Sequence, residues 1–201
     1  MAHPSLQLWY EFASTYSYLA VARIEAVAEA AGVDVEWKPF LLGPILREQG
    51  MTDSPFNLHP AKGRYMWRDM ERLCEGHGLP FRRPSEFPRN GLLAARVALV
   101  ALREGFGPAF SRSVYHANFA EDRDIADPTI VAELVEAQGG RAEPVLSAAG
   151  SPEIKEQLRE NTREASAAGV FGAPSLRVGG ELYWGNDRLG EAIACAALGS
   201  P

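Results

Sequence analysis

The first forty residues follow a strand, helix, strand order that restricts the possible folds strongly. Residues 6–12 alternate apolar and polar side chains with a period of two, as a strand with one buried face does. Residues 16–31 carry apolar side chains at helical spacing, and Gly32 provides a stop. Residues 33–40 again have the pattern of a strand. Such a unit places its two strands parallel in one sheet, so the pattern predicts an α/β fold.

The rest of the chain is helical in pattern except near its C-terminal end. Helices are predicted over residues 61–76, 90–104, 108–120, 127–138, 142–148, 152–168 and 187–198, and long loops over 43–60 and 78–89. The segments SLRV and ELYW flank the pair Gly179 and Gly180, a pattern typical of a β-hairpin. The order is therefore β-α-β … α-β-β-α around a mixed sheet, with helices on both faces. It predicts a discontinuous domain of residues 1–42 and 150–201, and a helical insertion lobe over 43–149.

Charge and hydropathy exclude several classes of partner. The formal net charge is −6 and no lysine- or arginine-rich run occurs, so no nucleic-acid partner is expected. The longest apolar run, residues 91–102, is interrupted by Arg96 and is shorter than the roughly 20 residues of a membrane span, so no membrane partner is expected. The N-terminal residues lack the pattern of a secretory signal, so a cytoplasmic location is expected.

The cysteines do not form a redox or metal-binding motif. Cys74 and Cys195 lie far apart and in no CxxC arrangement. In a reducing compartment both are expected to be buried or inert thiols. No metal site is predicted.

A cluster of hydroxyl side chains follows directly on the first predicted strand. Ser14, Thr15 and Ser17 lie at the strand's end, where ligands of open α/β sheets bind. Ser14 or Thr15 capping the next helix is the simpler interpretation. The same helix start favours an anion by about 0.3–1 kcal/mol, and a hydroxyl donating to a charged group adds about 1.5–3 kcal/mol. Together these effects lower the pKa of a bound thiol by roughly one to two pH units, which suits a thiolate ligand.

A serine nucleophile of the hydrolase type is the competing interpretation of this cluster. Such a serine needs a neighbouring general base. The available histidines are His3, His59, His77 and His116, and no GxSxG motif surrounds any serine. The sequence therefore disfavours a hydrolase.

Two further motifs lie near the C-terminal end. VFGAPS, residues 170–175, places Pro174 at the start of a predicted strand; a cis bond after Ala173 would fit that position, although trans is the commoner geometry. YWGNDRL, residues 183–189, offers Asn186 or Asp187 as a cap of the last helix. Alternatively, these two side chains and the helix start hold the charged groups of a ligand.

The three motifs together resemble a known pair of families. FASTYSYLA (12–20), a wholly helical segment, VFGAPS and then WGNDRL (184–189) are similar to the 2-hydroxychromene-2-carboxylate isomerases and the related kappa-class glutathione transferases. These families belong to the thioredoxin-like disulfide oxidoreductase clan. The resemblance covers essentially the whole chain, and the spacing of VFGAPS and WGNDRL makes it specific. It implies a thioredoxin-like α/β fold with a large all-helical insertion domain.

The resemblance also implies glutathione as cosubstrate. Ser14 resembles the families' catalytic serine, which replaces the clan's attacking cysteine and hydrogen-bonds the glutathione sulfur. Ser17 stands at the position of the clan's second cysteine and is left with a structural role. The residues that the resemblance places around glutathione are Ser14, Thr15, Tyr16, Asn57, Lys62, Ala173, Pro174, Asn186 and Asp187.

Within that set, the resemblance implies different partners for different residues. Ala173 and the cis-proline Pro174 pair with the cysteinyl backbone, while Asn186 and Asp187 hold the γ-glutamyl end. Asn57 reaches toward glutathione.

Two positions of the set stay open. Lys62 either neutralises a carboxylate or is a solvated helix residue. Thr15 departs from the proline that the families usually carry after the serine, so it either supplies another donor to the thiolate or caps the helix.

The resemblance implies a glutathione-dependent isomerase of 2-hydroxychromene-2-carboxylate or a similar intermediate of aromatic degradation. A kappa-class-like transferase and a non-catalytic glutathione- or peptide-binding module are the alternatives, and a disulfide oxidoreductase is disfavoured because the junction lacks cysteine. The expected partners are a small aromatic electrophile and a second copy in a homodimer. Five apolar side chains either pack in the core or line the pocket for the electrophile: Phe40, Leu41, Leu42, Trp67 and Phe87.

Overall fold

The computed structural model of the chain describes residues 4–199. His3 and the outer ends of the predicted discontinuous domain, residues 1–3 and 200–201, lie outside this range. The strands are β1 Ser5–Tyr10, β2 Asp34–Pro39, β3 Ser175–Val178 and β4 Glu181–Trp184. The helices are α1 Thr15–Ala31, α2 Leu42–Glu48, α3 Pro55–Leu58, α4 Pro60–Gly76, α5 Leu92–Arg103, α6 Gly107–Phe119, α7 Pro128–Ala137, α8 Ala142–Ala149, α9 Pro152–Ala167 and α10 Leu189–Ala197, with a 3₁₀ helix at Asn186–Arg188.

The strands form a mixed sheet in the order β2-β1-β3-β4. β1 and β2 run parallel, as the strand-helix-strand pattern predicted. Leu6 lies opposite Val35. β3 lies antiparallel to β1 and to β4, and the Gly179–Gly180 hairpin joins β3 to β4. The α/β fold with a mixed sheet is confirmed, and the described residues 40–174 contain helices and loops but no strand.

Both faces of β1 are buried, whereas the alternation predicted one buried face. Leu8 and Tyr10 belong to the main core, but Trp9 on the other face is also fully buried. Trp9 packs in a smaller cluster with Phe40, Ile45 and Val170. The pattern placed Trp9 on the polar face of the strand. Its burial is explained by this second layer, because the sheet is covered on both sides. Phe40 is therefore a core residue, which agrees with the first of the two alternatives given for it, core packing or pocket lining.

The predicted loop over residues 43–60 is the main error in the secondary structure. It contains α2, which buries Ile45, and α3, which begins with Pro55 after a cap from Ser54. Helices of seven and four residues are too short for a long apolar period, so the pattern did not reveal them. The segment 78–89 contains no helix or strand, as predicted. The division into domains 1–42 with 150–201 and 43–149 stays a prediction.

Helix α6 connects the helical segment to α1, the helix between the two parallel strands. It packs against α1 and α5, and its side chains Phe110, Val114 and Phe119 are fully buried in the main core. Within residues 4–199, no helix has the length and apolar character needed to cross a bilayer.

Candidate functional site

Ser14 lies at the junction of two elements that are far apart in sequence. It is the N-cap residue of α1, and its Oγ accepts a hydrogen bond from the Ser17 N–H at 3.2 Å. Its hydroxyl donates to the Ala173 carbonyl oxygen at 2.8 Å. The first turn of α1 carries no acidic side chain of its own, and the positive end of the helix dipole lies at this point. Ser14 therefore caps the helix, as the simpler interpretation held, and it also contacts Ala173.

The Ala173–Pro174 peptide bond is cis, the geometry that the family resemblance implied, rather than the commoner trans form. The Pro174 carbonyl accepts a hydrogen bond from the Gly185 N–H at 3.0 Å. This bond ties the segment before β3 to the segment after β4, and the 3₁₀ helix that follows contacts α1. All three motifs therefore meet at the start of α1.

Thr15 directs its hydroxyl away from this junction. The Thr15 Oγ1 donates to the Met66 Sδ of α4 at 3.3 Å, and the side chain is only 2% exposed. The hydroxyl thus has a protein partner, and the capping bond of α1 comes from Ser14 instead. A place for Thr15 in glutathione binding stays a prediction that rests on its main-chain N–H in the first helical turn.

Tyr16 connects α1 to α3 and α4. Its hydroxyl donates to the Asp69 carboxylate at 3.0 Å, and its ring centroid lies 6.3 Å from that of Phe56. Burial raises the pKa of Tyr16 first, and the negative charges of Asp69 and Asp187 raise it further. The phenol is therefore a neutral hydrogen-bond donor at physiological pH.

Asn186 and Asp187 do not cap the final helix by their side chains, so the capping interpretation of these residues is wrong. Asn186 is 6% exposed, and its buried Oδ1 has no hydrogen-bond partner within the described chain. Buried acceptors are rarely left unpaired, so this oxygen suits a donor that arrives with a ligand. Asp187 is exposed, and a Cβ at Gly185 would collide with its Oδ1; the φ of 110° at Gly185 also favours glycine.

Asn57 and Lys62 lie on the helical segment and are both exposed. The Asn57 Nδ2 donates to the Phe87 carbonyl at 3.2 Å and to the Asp53 carboxylate at 3.1 Å. The Lys62 ammonium lies 5.7 Å from the ring centroid of Phe56. Phe56 thus links Lys62 to Tyr16 at the start of α1. These three side chains are the first part of what we call the aromatic wall.

Partly buried aromatic side chains form a second part of this wall. The ring centroids of Trp67 and Phe87 are 4.8 Å apart, and the Arg83 guanidinium lies 4.8 Å from the Trp67 ring centroid. Two of the proposed pocket residues, Trp67 and Phe87, are thus in contact. Leu42 packs on the Trp9 cluster instead, and the Leu41 N–H donates to Thr162 of α9.

Glu11 is a residue of this site that the sequence did not single out. Its carboxylate accepts a hydrogen bond from the Ala13 N–H at 3.0 Å, and its carbonyl accepts from the Ser14 N–H at 3.0 Å. Burial raises its pKa to about 7, although the bond from Ala13 acts in the opposite direction. The signal that could have identified Glu11 was a carboxylate directly after a strand of buried residues. The alternating pattern instead placed this carboxylate on the polar face of the strand.

The nucleophile chemistry that competes with thiolate binding has no support in the geometry. Within the described chain, no histidine hydrogen-bonds Ser14, whose side-chain partners are Ala173 and Ser17. Cys74 is buried, and burial raises the pKa of its thiol to about 11. It is therefore an inert thiol, as predicted.

The family model of the DSBA-like thioredoxin domain matches residues 5–192. The chain belongs to this family. The candidate site of this chain is formed by the strand-to-helix junction after β1 and by the cis-proline before β3, two strands that are neighbours in the sheet. Ser14 and Ser17 stand at that junction, so the disulfide chemistry of a cysteine pair is absent from it.

The chain is also similar to an isomerase and to a glutathione transferase. It is 27% identical over 186 residues to a 2-hydroxychromene-2-carboxylate isomerase of Sphingobium xenophagum, covering 92% of this chain and 94% of the relative. It is 28% identical over 200 residues to human glutathione S-transferase kappa 1, covering 92% and 87%. A solved 2-hydroxychromene-2-carboxylate isomerase has the same fold, with a TM-score of 0.86, 23% identity and coverage of 95% and 93%. The resemblance inferred from the motifs and the thioredoxin-like fold are confirmed.

Proposed function

We propose that this protein is a glutathione-dependent isomerase that acts on 2-hydroxychromene-2-carboxylate or a similar aromatic-degradation intermediate. The observation that carries the proposal is the Ser14 hydroxyl, which lies at the N-terminus of α1 and against the carbonyl before cis-Pro174. The names of the curated relatives, an isomerase and a glutathione transferase, support the same chemistry.

The residues present fit glutathione. The unpaired Oδ1 of Asn186 suits an ammonium donor, and the nearby exposed carboxylate of Asp187 adds a charge of the right sign. The Ala173 main chain suits an extended peptide, which pairs through backbone groups. Asn57 and Lys62 supply an amide and a cation from the helical segment.

When bound, glutathione would supply a thiolate that adds to a conjugated double bond and makes it a single bond, about which rotation follows before elimination restores the double bond and the thiolate. Ser14 has one O–H donor, which the Ala173 carbonyl takes in the free protein. Because a hydroxyl rotates about its Cβ–Oγ bond, the same O–H would donate to a bound sulfur in place of the Ala173 carbonyl. The helix start and the hydroxyl then hold the negative charge, and the paired backbone fixes its position.

The aromatic wall suits a planar electrophile with a carboxylate. Trp67 and Phe87 provide ring faces and edges, and the cations of Lys62 and Arg83 lie beside aromatic rings of the same wall. An aromatic ring packs on such side chains, and a carboxylate pairs with such cations. Tyr16 adds a neutral phenol at the base of α1.

A kappa-class-like transferase is the second candidate, supported by the similarity to glutathione S-transferase kappa 1. The two reactions differ in whether the adduct is released or resolved. A non-catalytic glutathione- or peptide-binding module is the third candidate. The homodimer, the cytoplasmic location and the division into two domains belong to this proposal too.

The test is to incubate the protein with glutathione and a panel of electrophiles, including 2-hydroxychromene-2-carboxylate, and to measure product spectra and free thiol together. An isomerase converts substrate while the thiol concentration stays constant, whereas a transferase consumes thiol in proportion to product. Thermal stabilisation by glutathione without turnover of any electrophile would identify a binding module.

The role of Ser14 is tested separately with Ser14→Ala. This variant is expected to lose most turnover while still binding glutathione, because the peptide contacts remain. Ser17→Ala is the matched control, a fully buried serine of the same helix. Full turnover by Ser14→Ala would show that Ser14 is not the activating donor.

A further inference from the structure

One face of α6 contacts the chain that leads into Ser14, residue by residue. The Tyr10 and Ser111 hydroxyls are hydrogen-bonded at 2.9 Å. The Tyr115 hydroxyl donates to the Glu11 carbonyl at 2.7 Å. The Asn118 Nδ2 donates to the Phe12 carbonyl at 3.2 Å. Because residues 111, 115 and 118 recur at i, i+4 and i+7, they lie on one helix face and reach three consecutive residues, 10, 11 and 12.

These contacts are protected from water. Ser111 and Tyr115 are 0% exposed, and Asn118 is 1% exposed. A hydrogen bond in such surroundings is electrostatically stronger than one in water, and a missing partner would leave a buried polar group unpaired. The three bonds therefore hold the end of β1 in one position relative to α6.

The Glu11 carbonyl passes this restraint to Ser14. It accepts from the Tyr115 hydroxyl and also from the Ser14 N–H, at 3.0 Å. The second bond closes a turn from residue 11 to residue 14, and the Glu11 carboxylate braces the same turn through the Ala13 N–H. A displacement of the Glu11 carbonyl would therefore move the residue that carries the proposed activating hydroxyl.

Asn118 is itself held in place from the other side. Its Oδ1 accepts from the Arg89 guanidinium at 3.1 Å, and Arg89 also donates to the Arg123 carbonyl at 2.8 Å. The amide therefore has a fixed orientation, with its Nδ2 directed at Phe12. Nearby, Gly91 at the start of α5 approaches so closely that a Cβ there would lie 3.0 Å from the Phe12 Cβ.

We propose that Tyr115 and Asn118 are positioning residues for Ser14, acting through the main chain of Glu11 and Phe12. This inference rests on the proposed function of Ser14. It assigns to the helical segment a part in thiolate activation besides that of forming a wall for the electrophile. The hydrogen bonds of the Ser14 Oγ are to Ala173 and Ser17 rather than to either of these side chains, so their effect is on the position of the hydroxyl.

The test compares Tyr115→Phe with Tyr10→Phe. Both changes remove one buried hydroxyl that bonds across the interface with α6, but only Tyr115 bonds the main chain of the turn. The readouts are the pKa of the glutathione thiol in the complex, from its ultraviolet thiolate absorbance, and kcat and KM for glutathione. Thermal unfolding of each variant is measured alongside.

Tyr115→Phe is expected to raise the thiol pKa and to lower kcat by roughly tenfold to a hundredfold, the scale of a small misplacement of a reacting group. KM for glutathione is expected to change by less than about twofold, because the other peptide contacts remain. Tyr10→Phe is expected to lower the unfolding temperature to a similar extent while leaving the thiol pKa unchanged. Asn118→Ala, which releases the turn at Phe12, is expected to repeat the pattern of Tyr115→Phe and serves if that variant fails to fold.

Equal effects of Tyr115→Phe and Tyr10→Phe on the thiol pKa would overturn the positioning role, because both would then act only through stability. The wild-type protein distinguishes this result from failure of the proposed function. If it binds glutathione and lowers its thiol pKa while the variants do not differ, only the positioning role fails. If it does not lower the thiol pKa at all, the proposed function fails and the positioning role with it.

Discussion

The hydroxyl of Ser14 donates a hydrogen bond to the main-chain carbonyl of Ala173 at 2.8 Å, between residues that are 159 positions apart. Ser14 caps the first helix and Ala173 precedes the third strand, so the contact joins the β1–α1 junction to the segment that leads into β3. The serine thus satisfies an N–H of its own helix and a carbonyl that is suited to a peptide ligand. A ligand at this place meets a hydroxyl donor, a helix start and a backbone edge together.

A cysteine at position 14 is expected to capture glutathione. Ser14→Cys incubated with oxidised glutathione should form a mixed disulfide as the new thiolate attacks one sulfur and releases reduced glutathione. The helix start favours this thiolate. Mass spectrometry with peptide mapping measures the product and distinguishes it from reaction at Cys74 or Cys195.

Ser17→Cys is the matched control for that substitution. Position 17 is fully buried, so its thiol is expected to react at least tenfold more slowly. Equal labelling at both positions would indicate that the site offers no preferred place for the glutathione sulfur.

Thr15→Val is expected to leave the thiol pKa of bound glutathione unchanged. The Thr15 hydroxyl donates to the sulfur of Met66, so removing it affects a weak buried bond and lowers the unfolding free energy by about 1 kcal/mol or less. Ultraviolet titration of the complex measures the pKa, and denaturant unfolding measures the stability. A higher thiol pKa in this variant would show that the threonine does donate to the thiolate.

Asn186→Ala is expected to weaken glutathione binding by roughly tenfold to a hundredfold, the cost of a lost hydrogen bond to a charged group. The free protein is expected to keep its stability within about 1 kcal/mol, because the buried Oδ1 has no partner there to lose. Calorimetry of glutathione binding and thermal unfolding of the free protein measure the two effects. A large loss of stability with unchanged affinity would contradict a ligand-binding role.

The raised pKa of Glu11 predicts a dependence of stability on pH. Its folded value of about 7 lies above the 4.5 of an exposed glutamate, because burial disfavours the charged form. This group therefore contributes stability fully below pH 4.5, and the contribution is lost as the pH rises through 7. The loss is up to about 3 kcal/mol at 1.36 kcal/mol per pH unit.

Glu11→Gln is expected to remove this dependence between pH 4.5 and 7, because the amide oxygen still accepts from the Ala13 N–H without ionising. Denaturant unfolding at several pH values measures the curve. Glu143→Gln removes an exposed carboxylate of α8 and is the control for a general effect of charge. A wild-type slope retained in Glu11→Gln would assign the dependence to another group.

The order of strands and helices could be predicted because each depends on a local period. The hydrophobic alternation of β1, the Gly–Gly hairpin and the stop at Gly32, which has a φ of 65°, were all readable from neighbouring residues. The short helices α2 and α3 were not readable, because Ile45 and a Ser54 cap are too few residues to establish a period.

By itself, the sequence determined the type of each long element, the absence of a cysteine pair at the strand-to-helix junction, and the three motifs that indicate the family. Only the tertiary structure decided where the side chains point: Ser14 toward Ala173, and Thr15 toward Met66. It also decided that Tyr115 and Asn118 hold the turn before Ser14, at separations of 104 and 106 residues. The spacing of apolar residues indicates which face of a helix or strand is buried. The partner across that face depends on how the elements pack, and packing is a property of the whole chain.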